Sequence, residues 1–427
     1  MREVKVMLSE ARTGRKSVPG GAWAAAATWA AVVGLAATGA WGGDWPHWRG
    51  PNYDGISTET GWLGEWGTGG PKVVWKASAG TGFTTITVAK GRAYTMGNTG
   101  AKPEQDIVFC WDALTGKEVW RQGYEAALEK GNYEGGPSAT PTVDGELVYT
   151  FGKKGQLYCW EAGTGKAVWS RNVLEQDKME RPGWGYASSP LVQGELVILN
   201  AGPQGAAYRK TTGAPMWKTA GKGAGHATPV PFKLGGKDVL ALMTGREFMA
   251  VETATGQPLG RMAWKTQYDL NPADPIVAGD EAFISAGYGH GCARVKFTGD
   301  SVKNVWENKN LRNHVNSSVL IGGCLYGFDG QVLGEGDLKC LDWQTGQVKW
   351  SQGGLGTGSL TAADGKLIVL GEKGTLVIVE ASPAGYKELR RAEVLQGKCW
   401  TPPVLANGKI YVRNAAGEVL CLDPQGP

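Results

Sequence analysis

The sequence predicts an all-β fold, an eight-bladed β-propeller of four-stranded blades, and three observations predict it. A strand–turn–strand unit recurs along the chain; its clearest copy is Leu157-Tyr158-Cys159-Trp160-Glu161-Ala162-Gly163-Thr164-Gly165-Lys166-Ala167-Val168-Trp169. The tryptophans that close the copies, Trp75, Trp120, Trp169, Trp217, Trp264, Trp306 and Trp350, with Leu389 after them, stand 39 to 49 residues apart. That is the length of one propeller blade. Glycine supplies 67 of 427 residues with no collagen-like period, which assigns it to turns.

In chain order, residues 1–42 read as a signal peptide. Five basic residues lie within Met1–Lys16, an apolar alanine-rich run follows to Trp41, and small residues close it at Ala40-Trp41-Gly42. The run is also long enough for an uncleaved membrane anchor. After the leader the sequence predicts no membrane span, and the protein is expected in the periplasm or outside the cell. Residues 43–71 read as an irregular strap, with Trp45 and Trp48 packed on the propeller. Residues 72–427 are the propeller.

Each unit is preceded by a hairpin with a tight turn, such as Thr140 to Thr150 with Asp144-Gly145, or Pro403 to Val412 with Asn407-Gly408. Lys72-Val73-Val74-Trp75 has no partner strand before it. The last unit, Val419 to Asp423, has a first strand and no second. The N-terminal strand is therefore expected to complete the C-terminal blade and close the ring, removing the sheet edges. The seven tryptophans are expected to dock between neighbouring blades.

Five basic and two acidic residues precede residue 43, so the remainder is near neutral and carries no electrostatic case for nucleic acid. Cys110, Cys159 and Cys340 stand six residues before their turn glycines, and Cys421 shares their register. Equivalent positions on different blades are too far apart to bridge. Cys292, Cys324 and Cys399 are left open. Acidic residues recurring in register, such as Asp112, Glu161, Glu252 and Asp342, signal a turn rather than a site.

The turn Ala113-Leu114-Thr115-Gly116-Lys117-Glu118-Val119-Trp120 resembles the tryptophan-docking repeat of the pyrroloquinoline-quinone (PQQ)-type propellers. That superfamily holds quinoprotein alcohol and glucose dehydrogenases and a non-catalytic outer-membrane assembly factor of the BamB type. Trp45-Pro46-His47-Trp48-Arg49-Gly50-Pro51-Asn52 and Arg312-Asn313-His314-Val315-Asn316-Ser317-Ser318 are similar to an exported bacterial subfamily of PQQ-like repeat proteins.

The resemblance implies two functions. One is a non-catalytic scaffold that binds cell-envelope proteins, or a small ligand or carbohydrate, at the propeller face. The other is a dehydrogenase oxidising alcohols, sugars or polyvinyl alcohol with PQQ and Ca²⁺. The chain has no Cys-Cys pair, no haem motif and no compact run matching that family's calcium ligands or catalytic Asp. No metal ligands are assigned.

The channel mouth is where a propeller places its ligands. Candidate residues there are Trp184, Tyr186, His226, Asn313, His314, Asn316 and Trp400. Asp274 is a weak candidate for a general base. Each also has a structural reading: backbone hydrogen bonding for the histidines, a turn for Asp274, packing for the aromatics.

Overall fold

The computed structural model describes residues 43–67, 69–332 and 334–426; the expected signal peptide lies outside them. Eight sheets of four antiparallel strands follow one another around a ring. The first blade comprises Thr87–Ala89, Arg92–Asn98, Gln105–Asp112 and Glu118–Glu125. The next six span 142–172, 191–218, 230–263, 276–308, 319–352 and 359–393. The eighth has three strands from the C-terminal end, Val404–Ala406, Lys409–Arg413 and Glu418–Asp423. Its fourth is Lys72–Ser78, which pairs antiparallel with Glu418–Asp423. The ring closes as expected. Among the described residues no helix is long and apolar enough to cross a membrane.

The apolar core is divided into eight clusters, one at each blade-to-blade interface. The closing interface has the same character as the others: Trp75, Tyr411 and Cys421 pack against Val88, Phe109 and Trp111. In each blade the pairing of the third and outer strands carries a register shift, for example between Cys110 and Trp111. Such a bulge re-aims the following side chain. In six blades that side chain is a tryptophan whose indole Nε1 donates to a carbonyl of the next blade, as Trp120 does to Ala162 at 2.9 Å. In the fourth blade that position is held by Gly260, so Trp264 is not the equivalent docking residue the repeat led one to expect; it lies just beyond the outer strand, its Nε1 has no partner, and its ring meets His290 edge-on at 4.4 Å.

The turn glycine of the next blade receives the indole. Gly165 has φ +72° and a Cβ there would fall 2.6 Å from the Trp120 ring, so both the backbone and the space require glycine. The recurring acids cap these turns: Asp112 Oδ1 accepts from the Thr115 N–H and hydroxyl, and Asp342 does the same with Thr345. All seven cysteines are buried free thiols, including the three that the sequence left open.

The strap threads the channel. Trp45 exchanges backbone hydrogen bonds with Val88 of the first blade, and Pro46 accepts from Val143 of the second. Arg49 donates to the Ser318 carbonyl of the sixth, and Glu59 accepts from Gly408 of the eighth. Ile56–Ser57 runs parallel to Ala362–Ala363 as a fifth strand of the seventh blade, so the strap is not wholly irregular. These partners run along the inner strands, from the entry residue Ser318 to the turn residue Gly408, so the strap occupies the channel, which opens where the inner strands begin, at a cavity lined by Trp48.

Candidate functional site

At the open end, the residues leading into six of the inner strands form a hydrogen-bonded arc. The Thr85 N–H donates to Thr140 Oγ1 (3.1 Å), Thr140 to Ser189 Oγ (2.9 Å) and Ser189 to Thr228 Oγ1 (3.0 Å). Thr228 then donates to Asp274 Oδ1 (2.7 Å) and Asp274 to Ser317 Oγ (2.9 Å). Asp274 thus holds a repeat position that carries a hydroxyl in the neighbouring blades. Two residues before each of these positions stands a side chain or backbone that lines a cavity: Phe83, Ser138, Ala187, His226, Pro272 and Val315. One repeat position, varied from blade to blade, makes much of the wall.

The cavity holds about 510 Å³. Trp48 of the strap lines it, its Nε1 donating to Asp274 Oδ2 at 2.5 Å, so that the strap supplies the floor. One wall is an aromatic arc: Trp400 and Phe83 have ring centroids 5.1 Å apart, Phe83 and Tyr133 5.6 Å, Tyr133 and Trp184 6.2 Å. Elsewhere on the wall Tyr288 meets Tyr268 edge-on at 5.3 Å and His314 edge-on at 4.7 Å. Lysines support the arc without lining the cavity. Lys153 lies over the Tyr133 ring and donates to its hydroxyl. Lys398 lies over Trp400 and pairs with Glu134.

His226 is 6% exposed, and neither of its ring nitrogens has a hydrogen-bond partner. His314 Nδ1 accepts from the Val332 N–H at 3.3 Å, which places the proton on Nε2, and Nε2 has no partner. Burial lowers both imidazoles to about 4, with the Lys153 charge adding to the effect on His226. Both are therefore neutral at physiological pH. Gly287 makes room for His314, whose Cδ2 would lie 2.8 Å from a Cβ there.

Asp274 is buried, and burial raises its carboxyl above the usual range against the opposing effects of Arg49 and its hydrogen bonds. Oδ1 accepts from Thr228, while Oδ2 accepts from Trp48 and from Ser317 (3.2 Å) and lies 3.8 Å from Arg49 Nε. Oδ2 ties the strap to the wall, and Oδ1 accepts the backbone of the neighbouring blade.

Of the sequence candidates, the structure brings Trp184, His226, His314, Trp400 and Asp274 together around one cavity. Three others do not line it. Tyr186 is fully buried against Phe151, and its hydroxyl donates to the Glu180 carbonyl. Asn313 bonds the Phe328 carbonyl and the Ser318 hydroxyl, and Asn316 bonds the Gly358 carbonyl. Each satisfies backbone or side chains behind the wall. Phe83, Tyr268 and Tyr288 are lining residues that the sequence reading did not name. Phe83 had a signal: Gly82-Phe83-Thr84-Thr85 aligns with Gly225-His226-Ala227-Thr228.

The residues present do not fit PQQ with Ca²⁺. Calcium takes six to eight oxygen ligands. The lining offers one carboxylate, which already accepts three hydrogen bonds, and among the described residues no group of three or more His, Cys, Asp or Glu could hold a metal ion. No lining residue is cationic to meet the carboxylates of the quinone.

The chain matches the family described as outer membrane protein assembly factor BamB over residues 104–352 and 334–426. Among solved structures, BamB from Moraxella catarrhalis is similar with a TM-score of 0.59 at 16% identity, covering 82% of this chain and 96% of that one. Quinohemoprotein alcohol dehydrogenase from Comamonas testosteroni is similar with a TM-score of 0.67 at 15% identity, covering 90% and 81%. The computationally designed Ika8 protein gives 0.57 at 13% identity, covering 83% and 100%. At such identities the likeness is one of fold. No curated protein matches the chain in sequence. The family match spans most of the chain, and the chain belongs to the BamB family.

Proposed function

We propose, from that membership and the chemistry of the cavity, that the protein is an exported, non-catalytic scaffold of the cell envelope that binds through its open face. One observation carries the reading. The cavity presents aromatic rings and neutral imidazoles, while its single acid is engaged by the strap and two neighbouring blades. Asp274 is buried and already accepts three hydrogen bonds, from Thr228, Trp48 and Ser317, which makes it a poor general base. The name of the family, an outer-membrane assembly factor, supports envelope proteins as partners. The fold shared with a quinohemoprotein alcohol dehydrogenase is what an enzyme reading rests on, and the donor set argues against it.

The test is affinity capture from envelope extract with the full chain, beside a dye-reduction assay with PQQ, Ca²⁺ and alcohols or sugars. The expected result is a retained envelope partner and no substrate-dependent dye reduction. Dye reduction with substrate, and no retained partner, overturns the proposal.

A further inference from the structure

We infer that the cavity takes a neutral saccharide; the inference rests on the binding-scaffold reading and names the ligand class of the same site. Three independent features converge on that class. The first is shape and surface. A cavity of about 510 Å³ falls within the ~300–1,000 Å³ of small-ligand sites. The Trp48 floor and the arc through Tyr133 and Trp184 offer flat apolar faces, which suit the C–H face of a sugar ring.

The second feature is unmet hydrogen bonding. His226 is buried with both ring nitrogens unpartnered, one a donor and one an acceptor in the neutral ring. His314 adds a donor at Nε2. A buried polar group without a partner is costly, so such groups in a cavity mark what the ligand or its water supplies. A hydroxyl both donates and accepts, and a saccharide carries several on one ring. A purely apolar ligand would leave all three nitrogens buried and unpaired.

The third feature is charge. No cation lines the cavity to meet a phosphate or carboxylate, and Lys398 is already paired with Glu134. The one lining acid already accepts from Trp48, Thr228 and Ser317 and faces the Arg49 guanidinium at 3.8 Å, so an ammonium ligand would have to compete with partners and a cation already in place. What remains is a neutral, polyhydroxylated, ring-shaped ligand.

The test is isothermal titration of the full chain with cellotetraose, maltotetraose, xylotetraose and mannotetraose, with tetragalacturonate as the acidic counterpart. At least one neutral tetrasaccharide is expected to bind saturably. Trp184→Ala should abolish that binding, and His226→Ala should weaken it by about tenfold or more, the loss of one or two ligand hydrogen bonds. His226→Asn, which keeps a donor and an acceptor, should recover part of it. Thermal melts confirm that each variant is folded. Binding of no neutral saccharide by the wild-type chain, preference for tetragalacturonate, or unchanged binding by folded Trp184→Ala and His226→Ala would overturn the inference. Those results leave the envelope scaffold standing, because that reading fails on a separate readout, quinone-dependent oxidation.

Discussion

His226 keeps two unpartnered nitrogens in a buried setting, which is tolerable only while the ring is neutral. Its pKa is lowered from 6.5 to about 4 by burial, with Lys153 the charged group that adds to the shift. The unfolded chain therefore binds a proton between those values that the folded chain refuses. Stability from this group is intact above the unfolded pKa and is lost as pH falls from 6.5 towards 4, by about 1.4 kcal/mol per pH unit. Urea unfolding midpoints of His226→Asn should fall less steeply than wild type over that window; parallel slopes would refute the shift. At Asp274, serine would restore the hydroxyl of the neighbouring blades but leave Arg49 buried and unpaired. Asp274→Ser should cost about 3 kcal/mol. Adding Arg49→Met should recover part of that loss in the same unfolding assay, a coupling measurable as a double-mutant cycle.

The sequence placed Asp274 at the mouth, but not its hydrogen-bond partners. Those include Trp48 and Ser317, 226 and 43 residues away, which only the closed ring brings near. Tyr186, Asn313 and Asn316 were misplaced for a related reason. They belong to the right loops, but whether a loop side chain faces the cavity or the blade behind is decided by local backbone turns with no periodic signal.

The repeating element is the docked tryptophan with its bulge and its glycine. Its position was legible because the Trp and the turn recur. The bulge before it was not, since one extra residue in a strand leaves no compositional mark. Gly165→Ala meets both a positive φ and the Trp120 ring, so it should destabilise by roughly 1–3 kcal/mol. Gly163→Ala, in the same turn with open space around it, should stay within about 0.5 kcal/mol. Equal thermal shifts for the two would contradict the docking account. The fourth blade lacks the element: Gly260 follows its bulge, and Trp264, four residues on, is buried against His290 without a hydrogen bond.

At the scale of the whole molecule, the seam between the first and eighth blades carries the closure. Lys72–Ser78 supplies the missing outer strand, as the unpaired ends of the repeat implied. Arg413 adds what the repeat did not show. Fully buried, with burial lowering it to about 9, it donates to the Thr84 and Thr95 hydroxyls and to the carbonyls of Met96, Gly80 and Gly82 in the chain leading into and through the first blade. Arg413→Met removes five hydrogen bonds at once, although the Thr84 and Thr95 hydroxyls and the Met96 carbonyl keep one another as partners, and should cost about 3 kcal/mol. Hydrogen exchange should then quicken first in Lys72–Ser78 and in the first blade; uniform loss of protection around the ring would count against a special seam.

The closed ring and the strap within it define a cavity whose neutrality separates a binding propeller from a quinoprotein enzyme. Titration of the full chain with PQQ in the presence of Ca²⁺, followed by tryptophan fluorescence, tests that claim most directly. The account predicts no saturable binding at micromolar quinone, and stoichiometric, calcium-dependent quenching at that concentration would contradict it.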